Sequence, residues 1–202
     1  MMIIKNMDDA KKIEIFGNNI VTLEKTSYDK EHDEYMTESQ LKVISFDCVK
    51  EEYAKALSVT QPSSSGAFFV NREGKMFLIE FKNGKIIEVV KGREKVKKEF
   101  TKQMRLKIGE SLLLLTDILS DMSFNISYTR KYVNYILVYN EDKNPSLTKI
   151  KKSLLSGKAK EEYIRFGFES FKILYFKNVF TLTESEFEEK FVQKWEKPSG
   201  GS

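Results

Sequence analysis

A chain of 202 residues, 41% hydrophobic and 12% aromatic, carries enough apolar material for one sizeable core, which excludes a disordered or linker-like protein. Its 34 Lys and Arg face 30 Asp and Glu, so the formal charge is only +4 and the chain is not polybasic throughout. The lone cysteine, Cys48, excludes an intramolecular disulfide and a structural zinc cluster, and the apolar run at 112–115 is too short to span a bilayer. The expectation is one cytoplasmic domain over 1–197. Residues 1–40 elaborate a core at about 41–180, and 198–202 form a flexible tail of linker composition.

The N-terminal forty residues are the least patterned. Residues 13–16 and 20–23 read as short strands around a Gly17-Asn18-Asn19 turn, and 28–40 as a polar run. That run holds the only histidine, His32, among Asp29, Glu31, Asp33 and Glu34. A metal cluster and a solvated acidic loop are both compatible with it; the absence of interleaved apolar residues favours the loop.

Residues 41–46 read as a strand or the approach to a helix. Asp47 is a candidate N-cap for a helix over 48–57, with Val49, Tyr53, Ala56 and Leu57 on one side. Glu51 and Glu52 sit on this helix, either facing the next strands or as surface acids near a helix N-terminus. Residues 66–71 and 75–83 then read as two hydrophobic strands joined by Arg72-Glu73-Gly74. Asn83-Gly84 signals a tight type I′ turn into a third strand over 85–90, completing an antiparallel meander. Because strand side chains alternate, Glu80 and Lys82 share one face and Phe81 takes the other. A glutamate and a lysine on a mostly apolar strand are costly unless paired, solvated or put to use. The plain structural account is a salt bridge between them, worth at most ~1 kcal/mol if exposed.

From residue 94 to about 121 the period becomes helical. Val96, Phe100, Met104, Ile108, Leu112, Leu115 and Leu119 form an apolar stripe, bordered by a polar line of Gln103, Lys107 and Ser111. Gly109 in mid-helix costs roughly 1 kcal/mol relative to alanine, which suggests a close backbone contact there. Between 91 and 107 eight basic residues meet only Glu94 and Glu99, a local charge of +6. Such a strip, which includes Lys95, Lys98, Lys102 and Arg105, is either a nucleic-acid footprint or a solvated lysine-rich face. Beyond it, 132–140 reads as a strand buried on both faces, 147–163 as a helix capped by Ser146, and 171–176 as another central strand. Thr183-Glu184-Ser185-Glu186 is a capping box opening an amphipathic helix, with Phe187, Phe191 and Trp195 on its apolar side.

The resulting fold class is α/β (α+β), a central mixed sheet with an antiparallel meander flanked by helices. With the triplet Glu80-Phe81-Lys82 in the phrase IEFKNG, this order resembles the PD-(D/E)XK nuclease superfamily and its restriction-endonuclease-like core. It is similar, within that superfamily, to a Firmicutes group with SSDGxFF ahead of IEFKNG. The likeness covers roughly residues 47–140. It implies a glutamate and a lysine two apart on the second hairpin strand, an aspartate at the start of the preceding strand, and a glutamine or lysine from the long helix. Here those positions hold Glu80, Lys82 and Gln103 or Lys107, but Ser65, about fifteen residues before Glu80, stands at the aspartate position.

The resemblance implies Mg²⁺ or Mn²⁺ held by carboxylates and the backbone carbonyl of residue 81, with Lys82 orienting the attacking water. A serine hydroxyl is a weak neutral ligand, so Glu80 alone would hold a metal poorly. Three accounts stay open: Asp47, Glu51 or Glu52 replaces the missing acid, the site is a natural pseudoenzyme, or the aspartate has been exchanged in this chain. The functional expectation is a nucleic-acid-interacting protein of nuclease lineage, acting on DNA or RNA with hydrolysis impaired by Ser65. The alternative is a non-catalytic interaction protein on the same scaffold, such as an immunity protein or antitoxin bound to a toxin partner.

Overall fold

The computed structural model describes residues 4–122, 124–144 and 164–197. Short, mostly buried apolar runs build a six-stranded mixed sheet, in the order β1 (Ile20–Thr22), β4 (Lys42–Ser45), β5 (Ala67–Val70), β6 (Met76–Lys82), β9 (Val133–Tyr139) and β10 (Asn178–Thr183). The pairs from β1 to β6 are antiparallel, and those of β6 with β9 and of β9 with β10 are parallel. All seven residues of β9 are buried, as an apolar strand in the middle of a sheet should be. Two further strands, β2 (Tyr28–Asp29) and β3 (Glu34–Tyr35), form a small separate hairpin.

The alternation of β6 sorts the core into two layers. Met76 and Leu78 pack with Phe68, Tyr135 and Leu137 against the long helix Lys98–Ile118, through Phe100, Met104, Ile108, Leu112 and Leu115. Phe77 and Ile79 pack with Phe69, Ile136 and Val138 against Phe187 and Val192 near the C-terminus. Glu80 therefore falls on the long-helix side, while Phe81 meets Phe187 edge-on at 5.9 Å between ring centroids on the other.

Several elements differ from the sequence expectation. Residues 14–17 form a helical turn, not a strand. The helix expected from residue 48 spans Phe46–Leu57 and is capped by Ser45, whose Oγ accepts from Cys48 N at 3.3 Å. Asp47 is thus not the cap but lies in the first turn, with its carboxylate available elsewhere. That helix buries Phe46, Val49 and Ala54, leaving Leu57 exposed.

The expected third strand of the meander does not join the sheet. Residues 87–90 form β7 (Ile87–Val90), which pairs only with β8 (Arg93–Val96), because β9 occupies the free edge of β6 from Met76 to Lys82. Asn144 helps turn the chain away: its Oδ1 accepts from Ile86 N at 2.8 Å and its Nδ2 donates to Gly84 O at 3.3 Å. The paired positive φ values of a type I′ turn fall at Lys91 (52°) and Gly92 (73°), not at Asn83-Gly84.

Residues 169–174 are helical where a strand over 171–176 was expected. The last carbonyls there are taken up by the preceding helix Ile126–Tyr132, with Arg130 Nε donating to Leu174 O at 2.8 Å and Thr129 Oγ1 to Tyr175 O at 2.7 Å. Strand alternation begins only at Asn178. The helix expected over 147–163 lies outside the described residues.

The capping box at Thr183 and Glu186 is present, and the chain runs on as Glu184–Phe187, a π-helical segment Glu188–Val192 and Gln193–Glu196. Among the described residues no helix is long and apolar enough to cross a membrane.

A Cβ built at Gly109 meets nothing within 4 Å, so no close backbone approach explains this glycine. Gly109→Ala is therefore expected to stabilise the protein by about 1 kcal/mol through helix propensity alone, read as a higher urea midpoint with an unchanged slope. A loss of stability would mean that the glycine is sterically required.

Candidate functional site

Glu80 is the fifth residue of β6 and points at the long helix from a face otherwise built of Met76 and Leu78. Only 3% of it is exposed. The apolar stripe of the helix fixes its rotation, and with Met104 and Ile108 buried against the sheet, Lys107 comes to the edge of the buried face. Its Nζ donates to Glu80 Oε1 at 2.6 Å.

The same helix edge clamps the segment that leads into β5. Ser111 Oγ accepts from Ser65 N at 2.9 Å, and the Glu110 carboxylate accepts from Ser63 N. Ser64 Oγ in turn donates to Asp47 Oδ1 at 2.9 Å, which also accepts from Lys50 Nζ at 2.7 Å. Asp47 and Ser65 are thus brought beside the Glu80 and Lys107 pair where β6, the long helix, the segment before β5 and the Phe46–Leu57 helix meet.

The electrostatics follow from burial. Desolvation raises the Glu80 pKa, with Lys107 opposing and the charge of Asp47 adding to the rise. Burial alone would lower Lys107; Glu80 and then Asp47 outweigh it and hold the ammonium above its ordinary value. Tyr135, on the same sheet face, has its phenol pushed well above the usual value by burial and by Glu80, with Ser65 acting in the other direction. Three oxygens, Glu80 Oε2, Ser65 Oγ and Tyr135 OH, are buried without a hydrogen-bond partner. Unsatisfied polar atoms are uncommon in an interior, and these three belong to groups that act on one another, since Glu80 and Ser65 both influence the Tyr135 phenol.

Of the residues singled out in the sequence, Glu80, Lys107 and Ser65 come together, with Asp47 next to them. Gln103 is exposed one turn before Lys107, so the lysine and not the glutamine serves the site. Lys82 shares the Glu80 face but has no hydrogen bond or ion pair through its side chain among the described residues. The expected salt bridge between Glu80 and Lys82 is replaced by the one to Lys107. Glu52 accepts from Asn18 Nδ2 at 3.3 Å and Asn19 Nδ2 at 2.7 Å, and Glu51 is exposed, so neither helix glutamate approaches Glu80. Lys95, Lys98, Lys102 and Arg105 are all exposed.

Tyr135 was not identified from the sequence, although a phenol inside the apolar run YVNYILVYN is the kind of polar group that needs an explanation. A second network also went unnoticed. Buried Asn83 donates from Nδ2 to Glu34 Oε2 at 2.9 Å, and its Oδ1 accepts from Asn140 Nδ2 at 2.8 Å and Lys143 Nζ at 3.1 Å. It ties the hairpin of β2 and β3 to the residue after Lys82. On that hairpin Asp29, Glu31 and His32 each bring a ligand atom within 4.8 Å of the others. His32 Nδ1 lies 2.7 Å from Asp29 Oδ2, and the largely exposed setting is that of a surface hydrogen bond.

The donor set around Glu80 does not fit Mg²⁺ or Mn²⁺. These ions take hard oxygen ligands, mainly carboxylates, whereas here a single carboxylate is already neutralised by Lys107 and its neighbours are hydroxyls. Asp47, the nearest second acid, is held by Ser64 and Lys50.

Lys107→Met is expected to cost about 3 kcal/mol or more near neutral pH, because it leaves a buried carboxylate unpaired. Without the ammonium, burial raises the folded-state pKa of Glu80 further above its unfolded value. Stability of the variant is then greatest below the unfolded pKa and falls as pH rises through the folded one. Urea unfolding at pH 5 and pH 8 should show the deficit growing with pH, and Glu80→Gln in the same chain should remove most of it. A deficit independent of pH would refute the pairing.

No protein-family model, no curated protein and no solved structure matches this chain.

Proposed function

We propose that the chain is a nucleic-acid-interacting protein of PD-(D/E)XK nuclease lineage, in which phosphodiester hydrolysis is held back by Ser65. The observation that carries the reading is the bond from Lys107 on the long helix to Glu80 on the second hairpin strand, at 2.6 Å. Three of the positions that the resemblance singles out, Glu80, Lys107 and Ser65, lie together, which supports the reading. The strand order supports a restriction-endonuclease-like core: an antiparallel run β4, β5, β6 is followed by two parallel strands, with the long helix between β6 and β9.

In this arrangement Lys107 neutralises the one buried carboxylate, and the exposed cations of the long helix and β8 supply phosphate-backbone contact. Lys82, half-exposed on the same face, is the group free to orient a water or a phosphate oxygen. Hydrolysis requires a second carboxylate at residue 65. Ser65→Asp protein is therefore expected to bind Mn²⁺ by calorimetry and to acquire Mg²⁺- or Mn²⁺-dependent cleavage of DNA or RNA, lost again on adding Glu80→Gln. If Ser65→Asp protein binds no metal and stays inert on single- and double-stranded substrates, the nuclease reading fails.

One observation favours a second reading. A carboxylate sealed by an ion pair and lacking a second acid suits a scaffold kept for binding alone, as in an immunity protein or antitoxin. A stoichiometric protein partner drawn from native lysate and retained by Glu80→Gln protein would favour that reading. Recovery of nucleic acid alone, released by moderate salt, would count against it.

A further inference from the structure

The ribbon of β7 and β8 stands apart from the body. Residues 88–95 are all exposed, including Val89 at 69% and Val90 at 36% of their surface. A two-stranded ribbon is marginal on its own, and exposing valines on both of its faces serves no core. Direct pairing of Glu88 with Lys95 and of Val90 with Arg93 places Glu88, Val90, Arg93 and Lys95 on one face, two cations to one acid, and Lys91 sits in the tight turn at the tip. None of the three cations has an ion pair among the described residues. The ribbon is tethered at both ends to the candidate site: four residues, 83–86, join it to Lys82, and it enters the helix bearing Lys107 through Lys97 N, which donates to Ile86 O at 2.9 Å.

We infer that this ribbon is a duplex-reading arm that enters the major groove of B-form DNA and so makes double-stranded DNA the substrate class of the Glu80 site; the inference rests on the nucleic-acid reading above. Size and charge both point there. Four residues per strand give a reach of about 13 Å, and the B-DNA major groove, about 12 Å wide and about 8.5 Å deep, admits a two-stranded ribbon. Arg93 and Lys95 are suited to guanine edges, Val90 to a thymine methyl, and Lys91 and Lys98 to the flanking phosphates. A-form RNA has a major groove too narrow for side chains to read, so the same arm discriminates against RNA duplexes.

The test is binding of the full chain to a 30-bp DNA duplex, the RNA duplex of the same sequence and single-stranded DNA, by fluorescence anisotropy from 50 to 300 mM salt. Because residue 65 is left as serine, cleavage does not intrude. DNA duplex is expected to bind most tightly. Arg93→Ala with Lys95→Ala should weaken it about tenfold or more, and Lys91→Ala should lower the salt slope by about one. Lys172→Ala, on the exposed helix far along the chain, should change nothing.

All three ribbon positions are solvent-exposed, so loss of fold does not confuse the result, and thermal melting checks it. Undiminished DNA binding by the ribbon variants, or a preference for RNA or single strands, overturns the arm while leaving the nucleic-acid reading standing. Failure of the unaltered chain to bind any nucleic acid overturns both.

Discussion

The buried ion pair between Glu80 and Lys107 is the constraint on which the arrangement at this end of the sheet depends. A carboxylate that is 3% exposed between apolar strands needs a counter-charge, and the long helix delivers it through Lys107. Once Lys107 is committed to Glu80, the next turn brings Ser111 to the amide of Ser65, and Glu110 to that of Ser63. The segment before β5 is thereby fixed, and it carries Ser64 to Asp47. One electrostatic requirement thus organises the helix, the loop and the first turn of the Phe46–Leu57 helix around a single point.

Much of this was legible in the sequence where local patterns and tertiary demand coincide. The period of two in residues 76–82 placed Glu80 and Phe81 on opposite faces, and the stripe from Phe100 to Leu119 placed Lys107 and Ser111 on the helix edge. The capping box at Thr183 was read correctly because its bonds are local. The failures arose where the deciding partner is distant. Residues 85–90 have a strand pattern and a turn signal before them, yet β9, some fifty residues later, takes the edge of β6 that they would have needed. Residues 171–176 are apolar enough for a strand, but Ile173 is 77% exposed and their carbonyls are bound by the helix at 126–132. No local signal reports either competition.

The site was only half legible for the same reason. Glu80 and Lys82 could be found as a pair because strand geometry relates them. The choice between Gln103 and Lys107 required the rotation of the helix on the sheet. Tyr135 could not be placed at all, since its relation to Glu80 comes from the parallel register that sets Tyr135 opposite Leu78 and Leu137 opposite Glu80. Glu51 and Glu52 were reasonable candidates by helix position. Asn18 and Asn19 removed Glu52 through contacts more than thirty residues apart in the chain.

Counting charge at the buried end of β6 shows what the residue at position 65 contributes to the balance there. Glu80 and Lys107 sum to zero, and Ser65 and Tyr135 add hydroxyls without charge, so these four residues are neutral together. A carboxylate at residue 65 would leave one net negative charge among atoms that water cannot reach, with Asp47 making it worse. Such a pocket is tolerable only if it takes up a proton or a cation. Repulsion between the two acids would raise one carboxyl pKa until it took up a proton, whereas a bound cation would relieve both acids at once. The serine therefore does more than put a hydroxyl in place of an acid: it adds no negative charge beside Glu80, so the pair with Lys107 is the whole of the local balance.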